Sequence, residues 1–204
     1  MHPLRLCTDF EYDLSGGIQM NLGFDIDGVI SDFVGTFAKL VKKYYRVTMT
    51  EADVHCFDLG LVLGISKEER NKLVRETLQK NLALNVGARE SLNKLHLAGH
   101  RVVLLTVRSL DLGKVTADWL KRKCIPYSKL IQLDEGKKHL AKVSLDLVVE
   151  DNLENAIGWS EKVRNILIYD HPWNQSLNDK YLFKRVHNWN EIMKEIELLE
   201  HSFS

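Results

Sequence analysis

From residue 21 onward, short apolar runs alternate with segments of helical periodicity, and nothing else in the chain restricts its fold as much. Parallel strands need a long crossover, usually a helix, so this alternation is the pattern of an α/β fold with a central parallel sheet flanked by helices. It predicts strands over 21–25, 101–106, 129–133, 146–150 and 165–170. Helices are expected over 87–98, with Leu92 and Leu95 inward and Gly99 as a stop, and over 111–123, 136–144, 152–162 and 189–200.

The stretch from Gly28 to about Val86 is too long for a plain loop. Phe33, Phe37, Leu40, Val41 and Tyr44 recur at helical spacing, Ser66 and Glu69 form a capping-box pattern, and Leu73, Val74 and Leu78 continue a second apolar face. Residues 32–86 therefore read as a small helical cap inserted after the first strand of a core formed by 21–31 and 87–204. Residues 1–20, with the turn-prone Ser15-Gly16-Gly17, read as an N-terminal extension. A length of 204 residues suits one domain with such an insertion.

Twenty-eight Lys and Arg balance 28 Asp and Glu, so the chain lacks the positive field that draws proteins to nucleic acid polymers or anionic lipid. Cys7, Cys56 and Cys124 are scattered and odd in number, which suggests neither a disulfide framework nor a zinc-thiolate site. No apolar run approaches membrane-spanning length, and Asp9, Glu11 and Asp13 interrupt the region where a signal peptide would lie. No membrane contact and a cytoplasmic location are expected. The oligomeric state is left open, a homodimer included.

Chemistry concentrates at the ends of three predicted strands. The first runs into Asp25-Ile26-Asp27-Gly28, two carboxylates one residue apart followed by a glycine that permits a sharp bend. The second ends in Thr106-Val107-Arg108, a hydroxyl and a guanidinium, and a later one ends in Glu150-Asp151-Asn152, with Gly136-Lys137-Lys138 shortly before it. Ligands bind at the carboxyl ends of strands in open parallel sheets. Hard carboxylate oxygens, a hydroxyl and a lysine in one place suit Mg²⁺ and a phosphate.

Taken in order, Asp-x-Asp, Thr, Lys and Glu-Asp resemble the four-motif arrangement of the haloacid dehalogenase superfamily, in its phosphatase branch with a Rossmann-like fold, over nearly all of residues 20–200. With Tyr169-Asp170-His171-Pro172-Trp173-Asn174 they look more narrowly like the 5'(3')-deoxyribonucleotidase-like group. The resemblance implies a small phosphate monoester as substrate, Asp25 as nucleophile, and Asp27 as acid–base partner. It implies Mg²⁺ held by Asp25, the Asp27 carbonyl and Asp151, with Thr106 and a lysine on the phosphoryl group. Leu140, Ala141 and Ser144 follow Lys137 at helical spacing, which selects Lys137 over Lys138 and Lys142. Glu150 is expected to hold a metal-bound water.

Arg108 could contact the substrate or form an ordinary salt bridge. Phe33 could stack on a base or belong to the cap core, and His171 could line the site or merely shape a turn. Another small phosphorylated metabolite, such as a sugar phosphate, is the alternative substrate class. A phosphorylatable module and a silent binding protein are the alternatives to an enzyme.

Overall fold

A computed structural model describes residues 18–134, 137–175 and 183–203. The strands are β1 (Asn21–Asp25), β2 (Ser31–Asp32), β3 (Ala83–Leu84), β4 (Arg101–Thr106), β5 (Lys129–Gln132), β6 (Leu147–Glu150), β7 (Asn165–Tyr169) and β8 (Lys184–Val186). The helices are α1 (Phe33–Tyr45), α2 (Leu59–Leu63), α3 (Lys67–Leu78), α4 (Ala88–Leu97), α5 (Gly113–Arg122), α6 (Leu153–Trp159) and α7 (Trp189–Phe203). Six strands form one sheet in the order β5-β4-β1-β6-β7-β8, every neighbouring pair parallel.

Each central strand is buried on both faces, and alternate residues feed two separate clusters, as a strand's period of two requires. Leu22, Phe24, Val102, Leu104, Leu147 and Val149 face the side covered by α4, α5 and α7. Val103, Leu105, Val148, Ile166 and Ile168 face the side covered by α6 and the stretch carrying Ala141 and Leu145. Gly23 on this second face is small because a Cβ there would come within 2.9 Å of Leu145.

The chain leaves the sheet after β1 and returns before α4, and β2 pairs with β3 antiparallel where the two connections meet. Between them, α1, α2 and α3 enclose a third apolar cluster around Phe37, Val41, Val54 and Leu73. Asp32 caps α1 by accepting from the Gly35 amide at 2.8 Å, and Ser66 with Glu69 forms the expected capping box on α3. Trp173, from the turn after β7, packs into this third cluster, so the helical segment rests on the sheet's carboxyl edge.

The segment expected to be helical over 136–144 is instead a short 3-10 turn, Lys138–Leu140, and β8 was not expected at all. Of the expected extension, Ile18 packs against the first cluster and Met20 is buried in it, while 1–17 lie outside the described residues.

Candidate active site

Register brings the motifs together. β1 lies between β4 and β6, Asp25 pairs with Leu105 and Phe24 with Val149, so Asp25, Thr106 and Glu150 emerge side by side at one edge. Asp151 follows Glu150 at once, and one carboxylate oxygen from each of Asp25, Glu150 and Asp151 lies within 4.8 Å of the others. All three residues are buried.

One cation stands among these three acids. Lys138 Nζ is 2.6 Å from Asp25 Oδ1 and 3.0 Å from Glu150 Oε1, with its side chain 1% exposed. Lys137 is 58% exposed and pairs with Asp134 at 3.1 Å, so the lysine brought to the acids is Lys138 and not the expected Lys137. The reason is local geometry: a 3-10 turn brings residues three apart onto one side, which turns Lys138 and Ala141 inward and leaves Leu140 outside.

A single lysine leaves this buried cluster with an excess of about two negative charges if all the acids are ionised, a costly arrangement in a protein interior. Burial pushes the carboxyls of Asp25, Glu150 and Asp151 upward, Lys138 opposing it and the neighbouring acids reinforcing it. Burial works against the charge on Lys138, but Asp25 and Glu150 outweigh it and hold the ammonium protonated. Asp151 Oδ1 is buried with no hydrogen-bond partner. Hard oxygens, an unsatisfied one among them, with two surplus charges fit one small divalent cation.

Gly28 makes this cluster possible. Its φ is +94°, and a Cβ there would sit 2.1 Å from Asp151 Oδ2. The glycine both takes the left-handed turn and lets Asp151 press against the backbone.

Asp27 points elsewhere. Arg108 grips it with Nε on Oδ2 at 2.7 Å and a terminal nitrogen on Oδ1 at 2.6 Å, and Ser31 Oγ donates to Oδ1 at 2.8 Å. Burial would raise this carboxyl, but the guanidinium and the Ser31 hydroxyl win, and it is held below its ordinary range. The Arg108 side chain is itself buried beside the Trp119 ring at 5.2 Å. Arg108 thus forms an ion pair with the second aspartate of the motif. Thr106 Oγ1 accepts from the Arg108 amide at 3.1 Å, which leaves the hydroxyl proton for a ligand.

Phe33 stacks on Phe37 at 5.8 Å and packs against two of the apolar clusters. His171 does more than shape a turn: its Nε2 lies 3.0 Å from the Gly28 carbonyl, and its Nδ1 meets Glu51 of the helical segment. Ser31 and Asn85 carry no motif in the sequence, and Asn174 enters only as the last residue of the motif that begins at Tyr169. Asn85 Nδ2 donates to the carbonyls of Gly28 at 2.6 Å and Val29 at 3.0 Å, and Asn174 Nδ2 to that of Asp151 at 2.9 Å. Lone polar residues such as these carry no sequence signal of the backbone groups they will meet.

The sequence pattern of the family described as "5' nucleotidase, deoxy (Pyrimidine), cytosolic type C protein" matches residues 19–201. The chain belongs to this family. It is a nucleotidase-like phosphoric monoester hydrolase of the haloacid dehalogenase superfamily. A nucleotidase of Clostridium acetobutylicum is 28% identical over 187 residues, covering 89% of this chain and 95% of its own. Among solved structures, a haloacid dehalogenase superfamily hydrolase from Ehrlichia chaffeensis superposes with a TM-score of 0.55 at 14% identity, covering 89% of this chain and 98% of its own. YfnB of Bacillus subtilis, solved bound to magnesium, gives 0.60 at 12% identity, with 88% and 100% covered. Both share the Rossmann-like fold. Among the described residues, no helix is long and apolar enough to cross a membrane.

Proposed function

We propose that the chain is a magnesium-dependent phosphomonoesterase acting on nucleoside monophosphates, 5'(3')-nucleotidase in type. The observation that carries this reading is the buried group of Asp25, Glu150 and Asp151 with Lys138 as its one cation, set at a strand edge beside Asp27 and Thr106. Asp25 and Asp151, with the Asp27 carbonyl, would hold Mg²⁺, which when bound supplies charge neutralisation for the phosphoryl oxygens. Three scattered cysteines, odd in number and without a CxxC pair, fit a cytoplasmic setting.

The Asp25 carboxylate attacks phosphorus and the ester P–O bond breaks; the departing alkoxide takes a proton from Asp27, which has gained one from solvent once the phosphate has drawn Arg108 away. Asp27, now a base, removes a proton from water, which attacks the aspartyl-phosphate. The bond between phosphorus and Asp25 breaks, and inorganic phosphate leaves. Lys138 and Thr106 hold the phosphoryl oxygens, and Glu150 orients the lysine that it already contacts.

Both oxygens of Asp27 are taken by Arg108 in the resting structure, so Asp27 can act only after exchanging that partner. An incoming phosphate is an anion the guanidinium can accept in its place. The substrate class is tested with a panel of 5'- and 3'-ribo- and deoxyribonucleotides and sugar phosphates in Mg²⁺. A sharp preference for nucleotides supports the reading. Turnover of sugar phosphates alone would leave the chemistry standing and discard the nucleotide.

A further inference from the structure

The carbonyl oxygen of Gly28 is where the turn after β1 meets the helical segment. It accepts from Asn85, the residue after β3, and from the ring of His171. Asn85 also donates its own amide to the Ile30 carbonyl at 2.9 Å, so the returning connection is stitched to this turn.

His171 has little freedom. Its ring stacks on Trp173 at 4.0 Å and 9°, Tyr169 lies against it at 5.2 Å, and its backbone amide donates to Asn174 Oδ1 at 3.2 Å. A peptide carbonyl only accepts, so the Nε2 facing Gly28 carries a proton. The other nitrogen faces Glu51, in the 3-10 turn Glu51–Asp53 of the helical segment, and that hydrogen bond holds the Glu51 carboxyl below its ordinary range. The ring therefore bridges Glu51 of the helical segment and the Gly28 carbonyl of the turn.

We propose that His171 is a positioning residue: through Glu51 it senses where the helical segment sits, and through the Gly28 carbonyl it sets the turn that carries Asp25 and Asp27. This rests on the catalytic roles proposed above for those two aspartates. Glu51 is half exposed and water could satisfy it, so the fold does not need its pairing with His171. The contact thus ties the placing of Glu51 on the helical segment to the geometry of the turn.

The test is a double-mutant cycle of Glu51→Ala and His171→Ala, read by kcat and KM in Mg²⁺ and by amide hydrogen exchange of the peptide covering 25–32. Glu51→Ala, at an exposed site, is expected to lower kcat about tenfold, the size of one charge-assisted hydrogen bond, with a smaller change in KM. The double variant is expected to match His171→Ala within about twofold, because Glu51 acts through His171. Exchange at 25–32 is expected to quicken in Glu51→Ala. Unchanged kcat in Glu51→Ala, additive losses, or unchanged exchange would each overturn the proposal. A wild-type protein inactive on every monoester would remove the proposed function instead, and the exchange experiment would still decide whether Glu51 controls the turn.

Discussion

Among the described residues Lys138 is the one cation inside a cluster of three acids, and removing it leaves buried carboxylates without a counter-charge. Lys138→Met is expected to cost about 3–5 kcal/mol of stability in metal-free protein and to abolish most turnover. Lys137→Met, on an exposed side chain, is expected to change stability by less than about 0.5 kcal/mol; denaturant melts and phosphate release check both. Gly28→Ala puts a methyl where Asp151 Oδ2 stands, and is expected to lower kcat about a hundredfold, as misplacement by about an ångström does. Burial raises the carboxyls of Asp25, Glu150 and Asp151 above their unfolded values. The folded chain then keeps protons on these three that the unfolded chain has released, so their contribution to stability is full at acid pH and is lost as pH rises. In EDTA the Tm is expected to fall from about pH 4 upward, continuing to about pH 7, where Glu150 titrates. Mg²⁺ should restore more of the Tm at the upper end of that range, and Glu150→Gln should flatten the fall. The acids were legible because each ends an apolar strand. The lysine was misassigned by one residue, because helical periodicity was applied to a turn of three per revolution.

At the scale of elements, the central strands were the most legible part of the chain. β1 and β4 have the bounds that their apolar runs suggest, since strands buried on both faces must be apolar throughout. β8 escaped because three residues at a sheet edge, Lys184–Val186, have one fully buried side chain and no readable alternation. The capping box on α3 was readable for a local reason: Ser66 and Glu69 satisfy each other's backbone amides without tertiary help. Ser66→Ala is expected to destabilise the protein by about 1 kcal/mol in thermal melts while kcat holds, because α3 sits away from the acids. Contacts between elements were not legible. Arg75 of α3 pairs with Asp111 beyond β4, and Glu51 pairs with His171 beyond β7, so the helical segment is tied to the sheet at two places far apart in sequence.

At the scale of the whole molecule, two apolar clusters fix the sheet and a third holds the helical segment above its carboxyl edge. Leu78 and Leu82 of the segment also enter the first of these clusters, so sheet and segment share packing beside the acids. The central claim is that Asp25 is the nucleophile of a metal-dependent phosphomonoesterase. It is tested most directly by phosphate release from the preferred monoester, comparing wild type with Asp25→Asn, each in Mg²⁺ and in EDTA. Wild type with Mg²⁺ is expected to turn over, EDTA to stop it, and Asp25→Asn to lose at least about a thousandfold in kcat with its Tm preserved. A folded Asp25→Asn protein that releases phosphate at the wild-type rate would contradict the account.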